Sequence, residues 1–292
     1  MMQLRDVEVR SRRIEIVLIL AIFLASLPLI LNYGLLILSS FSTEMVTNLD
    51  PTSFRPTIDN WILLFEGRLS VTGGVREDVL RYTVNTAIVA LGVAGVVVIV
   101  SVMAGYAMSR MNFKGRSLIM QLILLLHAFP GVALIIAVYL IFRATLPSDI
   151  ELARIYSFIY VIVARAALEI PMSIWLIKGF FDRVPWEVEW AAIIDGASRL
   201  RVWREVMLPM VKPGIAAIAI FAFLAGWEDL IYVRTFLFDR TLATYIESNI
   251  NVEFAYMPLL AAAGTLYLLP TILFFILTQK LLLETSTGGI KG

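Results

Sequence analysis

Six long apolar blocks constrain the fold of this chain more than any other feature. Each block has 19 to 25 residues, and four of the six contain no Asp, Glu, Lys or Arg. About 20 helical residues at 1.5 Å rise cross a hydrocarbon core of roughly 30 Å. Apolar residues make up 60% of the chain, whereas soluble domains contain about 45–50%. The pattern predicts an all-α polytopic membrane protein with six transmembrane helices: Ile16–Leu38, Val84–Met108, Leu118–Phe142, Ile155–Ile177, Ile215–Val233 and Met257–Thr278.

The distribution of basic residues predicts the orientation of these spans. Six spans place both termini on one side of the membrane. Of the 24 Lys and Arg residues, 15 would lie on that side and 8 on the other, while Arg165 lies within a span. Because Lys and Arg near span ends favour the cytoplasm, we expect both termini and the long loop 178–212 to be cytoplasmic. The predicted organisation is a cytoplasmic segment at 1–13, a six-span domain at 14–283 and a cytoplasmic tail at 284–292.

The loop between the fourth and fifth blocks has 35 residues, from Lys178 to Lys212, far more than a turn between two spans requires. Pro185 suits the first turn of a helix, and Glu187 and Glu189 suit its positive N-terminal end. Gly196 can take the left-handed geometry that stops a helix. The loop is therefore predicted to contain a helix–turn–helix beneath the membrane.

The second helix of this loop is predicted to be amphipathic. Ser198 can cap its start, and Pro209 and Pro213 are expected to end it before the fifth span. Its expected apolar face consists of Leu200, Trp203, Val206 and Met207. Two interpretations stay open. The loop could be a pair of interfacial helices with no partner, or a surface that another protein approaches closely over the small Ala191-Ala192 pair.

Three short motifs in the loop resemble the coupling loop of inner-membrane permeases of binding-protein-dependent ABC importers. The family pattern is a Glu-Ala-Ala run, then Asp-Gly-Ala, then Leu-Pro further along. The corresponding positions here are Glu189-Trp190-Ala191-Ala192, Asp195-Gly196-Ala197 and Leu208-Pro209. Trp190 stands where many members carry a second glutamate. If that glutamate pairs with the ATPase, then Glu189 or Glu187 supplies the charge here, or the contact is apolar.

The resemblance extends over most of the chain. It includes the family's second span, the turn after it and the lead-in to the coupling loop, at residues 85–90, 104–110, 113–116, 170–171 and 179–181. Residues 287–292 are similar to the tail of the carbohydrate-uptake branch, in particular the smaller permease of maltose-type systems. The resemblance thus implies a sugar or an oligosaccharide as the solute.

The resemblance also implies the partners. Two permease chains form a path, and each docks a cytoplasmic coupling helix, between spans four and five, into a groove on a cytoplasmic ATPase dimer. ATP and Mg bind to that ATPase, and an extracytoplasmic solute-binding protein delivers the solute. The implied location is the plasma membrane of a prokaryote, with membrane lipid as the remaining partner and no nucleic acid. Besides the loop motifs and Glu187, the implied ATPase contacts are in the tail, at Gly288, Gly289 and Lys291.

The chain offers little chemistry of its own. No Gly-Lys dipeptide occurs in the sequence, which excludes a phosphate loop of the G-x-x-x-x-G-K-[ST] type. There is no cysteine, so disulfides and Cys-based metal sites are excluded. His127 is the only histidine and cannot form a metal site by itself; we expect a core histidine bonded to a backbone carbonyl. We therefore expect neither an enzyme nor a cofactor bound to this chain.

Five residues within the spans are candidates for the translocation path. Arg165 and Glu169 are four residues apart, which places them on one helix face and favours mutual pairing, either as a brace or as a polar wall. Glu228 and Asp229 follow Trp227 directly. Adjacent side chains on a helix point about 100° apart, so these two carboxylates are not expected to serve one site. An ion-coupled secondary carrier that uses the same four charges is the alternative function, and an intramembrane enzyme is a third hypothesis.

Overall fold

The structure, a computed structural model, describes residues 2–48, 50, 53–67, 77–250 and 256–287. The described residues are nearly all helical, which confirms the predicted all-α class. The chain forms two compact units. The first comprises Met1–Glu77 with Asn249–Leu266, and the second comprises Asp78–Ser248 with Tyr267–Gly292.

In the first unit, a short helix is fastened to the end of a long one. The long helix is α1 (Met2–Ser40) and the short one is α2 (Asp59–Glu66). The Asn60 side-chain amide donates hydrogen bonds to the carbonyls of Ser40 at 3.1 Å and Ser42 at 2.7 Å. The ring of Trp61 stacks on Phe41 with centroids 5.5 Å apart. The two hydrogen bonds satisfy carbonyls at and just after the end of α1, where the backbone has no intrahelical donor.

From Asp78 onward, long helices alternate with shorter segments, and α12 and α13 each contain residues of both units. In chain order the elements are α3 (Val79–Arg110), α4 (Arg116–His127), a 3₁₀ turn (Gly131–Leu134), α5 (Ile135–Thr145), α6 (Ile150–Asp182), α7 (Trp186–Ile194), α8 (Arg199–Val202), a π turn (Trp203–Met207), α9 (Leu208–Met210), α10 (Lys212–Trp227), α11 (Ile231–Phe236), α12 (Leu242–Ile250) and α13 (Met257–Thr287).

Four helices within the described residues are individually long and apolar enough to cross a membrane. They are Ile16–Ser40 within α1, the whole of α3 and α6, and Met257–Phe274 within α13. Two bent pairs each form a further candidate span: α4 with Gly131–Thr145, bent by 89°, and Arg199–Met210 with α10, bent by 76°. The helices therefore provide four to six candidate spans, and the six predicted from the sequence are the upper end of that range.

The predicted third span, Leu118–Phe142, is not one continuous helix. α4 ends at His127, and helical structure resumes only at Gly131. Pro130 between them has an extended conformation, with φ −66° and ψ 125°. Proline lacks an N–H and disfavours helical geometry in the residue before it. By contrast, α6 continues through Pro171, so the same residue type breaks one span and not the other.

The predicted fifth span, Ile215–Val233, is also interrupted. α10 ends at Trp227, and α11 begins at Ile231. The Asp229 carboxylate accepts hydrogen bonds from the backbone N–H groups of Tyr232 at 2.9 Å and Val233 at 3.0 Å. Because the first N–H groups of a helix have no intrahelical acceptor, a carboxylate placed there favours a new helix start.

The core of the second unit lies between α3, α6 and α10. Val89, Val93 and Val97 of α3 are fully buried, as are Val161 of α6 and Ala222 of α10. Their spacing of four residues along α3 forms one apolar stripe. Gly226 permits a close approach of the α10 and α3 backbones, because a Cβ at this position would lie 2.9 Å from the Cα of Ala90 in α3. Small residues at helix interfaces let backbones approach in this way.

The outward face of α3 is apolar as well. Leu91 and Ile99 are each 63% exposed, although they lie on the same helix as the buried valines. A helix that is apolar on every side is typical of a membrane span, in which the outer face contacts lipid or another membrane helix.

We expect Gly226→Ala to weaken the packing of α10 on α3. The added methyl group would force the two helices apart, at a cost of about 1–3 kcal/mol for overpacking a core. Thermal unfolding of the detergent-solubilised protein, followed by circular dichroism, should show a lower midpoint. Gly95→Ala is the matched control, because no atom lies within 4 Å of its Cβ position. Equal losses in the two variants would contradict the packing argument.

Candidate coupling segment and membrane cavity

The first helix of the long loop has the predicted boundaries to within a residue. α7 begins at Trp186, directly after Pro185, and ends before Gly196. The Gly196 N–H donates to the Ile193 carbonyl and the Ala197 N–H donates to the Ala192 carbonyl, both at 3.0 Å. Gly196 has φ +85°. These two hydrogen bonds and the left-handed residue form a Schellman C-cap, which confirms the predicted helix stop at this glycine.

The second helix of the loop buries most of the predicted face. Ser198 caps α8, accepting a long hydrogen bond of 3.4 Å from the Arg201 N–H. Met207 is buried, and Trp203 and Val206 pack against the same apolar cluster. Leu200 differs from the prediction at 71% exposed, and Val202 is buried in its place. The π turn at Trp203–Met207 aligns Val202 with Met207, because its i→i+5 spacing brings residues five positions apart onto one face.

The two prolines of this segment do not end the second helix in the predicted manner. Pro209 lies within α9, and the chain turns only at Val211. Pro213 then lies in the first turn of α10, where its missing N–H has no intrahelical acceptor to lose. Leu208 is half-buried, and Pro209 is exposed.

The outer face of α7 is apolar and exposed. Trp190 is 54% exposed and Ile194 is 84% exposed. The rings of Trp186 and Trp190 lie 6.0 Å apart. Glu187, Ala191, Asp195 and Gly196 are also exposed, whereas Ala192 and Ala197 are half-buried.

Glu189 points inward, away from the exposed face of α7. Its side chain is 10% exposed, and it accepts a 2.7 Å hydrogen bond from the Tyr106 hydroxyl. The Nε atom of Arg110 lies 3.5 Å from its other carboxylate oxygen. Of the two glutamates expected to offer a charge to a partner, only Glu187 is therefore exposed. Glu189 is committed to contacts within the chain.

A cavity of about 1100 Å³ lies where the two interrupted spans meet α6. Its apolar lining comes from α4, α6, α10 and the residues around Pro130. The polar side chains in its wall are His127, Arg165, Glu169, Glu228, Asp229 and Tyr232. The predicted pairing of Arg165 with Glu169 is confirmed, with Nη1 and Oε1 2.8 Å apart. Arg165 also pairs with Asp229, whose carboxylate lies 3.0 Å from its Nε.

Glu228 and Asp229 both line this cavity, but Asp229 pairs with Arg165 whereas Glu228 faces Thr271. The expectation that they do not serve one site assumed a continuous helix, and α10 ends at Trp227 instead; the expectation stays a prediction. Trp227 itself is buried and does not line the cavity. It stacks with Phe223 and donates a 2.9 Å hydrogen bond to the Tyr267 carbonyl.

His127 bonds to a backbone carbonyl as expected, with Nδ1 3.3 Å from the Leu168 oxygen. The side chain is exposed in the cavity wall rather than buried in the core. In the part of the chain that the structure describes, no group of three His, Cys, Asp or Glu side chains is placed to hold a metal ion. The predicted tail residues Gly288, Gly289 and Lys291 lie outside the described residues.

Comparison with known proteins decides the family. Residues 97–284 match the family described as binding-protein-dependent transport system inner membrane component. The chain belongs to this family. The match begins within α3 and includes the coupling segment, the cavity and most of α13, so both sites described above lie in the family's common region.

Relatives of this permease cover nearly its whole length. It is 32% identical over 280 residues to the maltodextrin transport system permease of Bacillus subtilis (strain 168), covering 93% of this chain and 95% of the relative. It is 30% identical over 294 residues to the galactooligosaccharides transport system permease of the same organism, covering 98% and 99%. The predicted resemblance to permeases of the carbohydrate-uptake branch is confirmed.

A solved structure shares the fold of the permease. The structure is of a bacterial ABC transporter involved in the import of the acidic polysaccharide alginate. The TM-score is 0.71 at 18% identity, over 93% of this chain and 97% of that one. At this level of identity the likeness concerns the fold alone.

Tyr106 and Arg110 of the permease were not identified as site residues from the sequence. They lie four residues apart at the end of α3, so they share one helix face, and both side chains contact Glu189. The sequence offered one signal for them: a tyrosine and an arginine share a helix face beside the end of an apolar span, where polar side chains need partners. Their partner lies 79 or more positions away in the sequence, so the contact itself could not be read from local spacing.

We expect Arg165→Leu to destabilise the permease strongly. Removal of the guanidinium leaves Glu169 and Asp229 in the cavity wall without their cation, and breaking a buried ion pair costs about 3–5 kcal/mol. The thermal midpoint in detergent should fall well below that of the wild type. Arg143→Leu is the control, since this side chain is exposed and does not line the cavity. Equal midpoints for the two variants would refute the bridging role of Arg165.

Proposed function

We propose that this chain is the translocating permease subunit of an ATP-driven importer for a sugar or an oligosaccharide. It would work with a second permease, a cytoplasmic ATPase dimer that binds ATP and Mg, and an extracytoplasmic solute-binding protein. The proposal places it in a prokaryotic plasma membrane with both termini cytoplasmic. Alternating access of the cavity would be driven by the ATPase, because the chain has no phosphate loop.

One observation carries the proposed coupling role: the exposed apolar face of α7 in a chain of this permease family. Trp190, Ile194 and the nearby Leu200 expose large apolar side chains on a segment that charged residues surround. Exposed apolar patches with a polar rim are typical of protein interaction sites. Tryptophan in particular contributes strongly to binding at such sites.

The chemistry of this docking surface follows from where the charges lie. The position at which many relatives carry a glutamate is occupied by Trp190, and Glu189 is held inside the chain. We therefore propose that α7 enters an apolar recess on the ATPase. The Schellman turn ends α7 at Gly196 without adding a side chain there. The small Ala191 is exposed, and its size permits a close approach of the ATPase to the α7 backbone.

The proposed solute rests on the relatives, whose names specify maltodextrin and galactooligosaccharides, and on the composition of the cavity wall. Arg165, Glu169 and Glu228 supply hydrogen-bond donors and acceptors that suit hydroxyl groups. The wall holds three carboxylates and one guanidinium. Because like charges repel in a poorly solvated site, this excess of carboxylates favours a neutral sugar over an acidic one.

The ATPase contact can be tested with Trp190→Glu. This change introduces the glutamate that relatives carry, yet we expect it to weaken ATPase retention about tenfold or more, as for loss of a buried aromatic hot spot. Retention is measured as the ATPase that co-purifies with the tagged permease. Ile150→Glu is the matched control, because Ile150 is 82% exposed but lies at the far end of α6 from α7. Unchanged retention in Trp190→Glu would contradict an apolar docking face.

The function as a whole is tested in vesicles that contain the complete importer. Uptake of a malto-oligosaccharide should require ATP and the ATPase subunit, and an ion gradient alone should not support it. Uphill uptake by the purified permease alone, driven by a sodium or proton gradient, would instead establish the ion-coupled alternative. In that case the charges lining the cavity would bind the coupling ion.

A further inference from the structure

The carboxylate of Glu189 lies where α3, α6 and α7 meet. One of its oxygens accepts the 2.7 Å hydrogen bond from Tyr106 in α3, and the other faces Arg110, also in α3, at 3.5 Å. The two side chains are 10% and 3% exposed. A charged pair at this depth joins α7 to the end of α3 by direct contact.

Arg110 also contacts the chain on both sides of the turn before α7. Its Nη2 donates to the carbonyls of Phe181, at the end of α6, and Val184, in the turn. Its guanidinium carbon lies 4.4 Å from the centre of the Trp186 ring in the first turn of α7. One side chain of α3 therefore contacts the end of α6, the connecting turn and α7.

The two atoms of the ionic contact have no other partner among the described residues. Arg110 Nε and Glu189 Oε2 are buried, make no hydrogen bond and face each other. Loss of one partner would therefore leave the facing atom of the other buried and uncompensated, which costs more than loss of a surface pair.

A second set of contacts fixes the ends of α3 and α6 to each other. The Ser109 hydroxyl donates a 2.6 Å hydrogen bond to the Asp182 carboxylate, which also pairs with Lys178. Beneath them, Val102 of α3 and Ile177 and Phe181 of α6 belong to one buried apolar cluster. The two helix ends therefore form one packed body, to which Glu189 fastens α7.

We propose that Glu189 is a positioning residue that transmits movement of α7 directly to α3 and, through Arg110, to the end of α6. Without this contact, α7 would be held by the turn Arg183–Pro185, by the Arg110–Trp186 contact and by the packing of Ala192 on the apolar cluster, none of which is a hydrogen bond from the body of α7 to α3. With it, a displacement of α7 moves the ends of both membrane helices together. This inference rests on the proposed function, in which an ATPase moves α7, and it assigns Glu189 to the inside of the permease rather than to the ATPase interface.

The test uses Glu189→Gln and Tyr106→Phe in the complete importer. We expect both variants to retain the ATPase and hydrolyse ATP at the wild-type rate. Sugar uptake per ATP should fall between about 5-fold and 150-fold, the usual size of a coupling between sites. Tyr106→Phe keeps every charge and decides the matter if Glu189→Gln fails to fold. Tyr139→Phe is the control, because it removes a hydroxyl from α5, away from this cluster.

Two further experiments distinguish a loss of coupling between α7 and the membrane helices from a general loss of stability of the permease. The losses of the two changes should not simply add in the double variant, because Tyr106 and Arg110 hold the same side chain at position 189. The chain has no cysteine, so a Tyr106→Cys, Glu189→Cys pair can be joined selectively with a bifunctional methanethiosulfonate reagent. Joining the two positions covalently should restore uptake per ATP, and failure to restore it would overturn the proposal.

The outcomes also distinguish this inference from the proposed function. Loss of the ATPase from Glu189→Gln, with normal retention by Tyr106→Phe, would place Glu189 at the ATPase interface and overturn the inference alone. Normal uptake per ATP in both variants would overturn it too. Failure of the wild-type permease to retain any ATPase would overturn the proposed function, and the inference with it.

Discussion

Helices inside a membrane must satisfy their own backbone hydrogen bonds, and the structure around the cavity depends on this constraint. Lipid offers no donors or acceptors, so an interruption is tolerated only where protein groups replace the lost bonds. The break after α4 and the break after α10 lie together. The Tyr232 hydroxyl from α11 donates a 2.9 Å hydrogen bond to the Gly131 carbonyl beside Pro130. Asp229 satisfies the first N–H groups of α11.

The same constraint explains why charges occur at this depth. Asp229 serves both a helix start and an ion pair with Arg165, and Arg165 is held in turn by Glu169. Ionisable groups within spans face the protein interior or a polar cavity, because exposure to lipid is costly. Pro171 contributes to this wall as well, since it offers no N–H to the carbonyl of Ala167, a residue of the cavity lining. The shape of the cavity and the charges in its wall thus both follow from the interrupted helices, whose free backbone groups need polar partners.

The helix α7 divides its side chains between two faces. Outward, it exposes Trp190 and Ile194. Inward, Glu189 joins the helix to α3 through Tyr106 and Arg110. Under the proposed function, these buried contacts would make α7 move together with α3. The π turn at Trp203–Met207 brings Val202 and Met207 onto the apolar cluster beneath it, which fastens the other side of the segment.

Local chemistry was readable from the sequence wherever a few consecutive residues decide the outcome. The stop at Gly196 follows from its freedom to adopt positive φ, and the start of α7 follows from Pro185 with acidic residues behind it. The apolar blocks indicated α3 and α6 because length and composition alone decide whether a helix can span a membrane. The Arg165–Glu169 pair followed from helical spacing. The motifs of the loop were sufficient to indicate the family.

Tertiary structure decided what depends on residues that are distant in the chain. Pro130 breaks its span and Pro171 does not. The difference depends on which neighbouring side chains can bond the backbone groups that each proline leaves free, and local sequence does not specify those neighbours. Glu228 and Asp229 share a cavity because the helix ends at Trp227, which helical periodicity cannot anticipate. The inward direction of Glu189 depends on a tyrosine and an arginine at the end of another helix. The sequence by itself determined the helical class, the apolar lengths and the family, since these are local properties. Only the tertiary structure decided where the third and fifth spans break and which charges are buried and which are exposed, because both depend on contacts between distant residues.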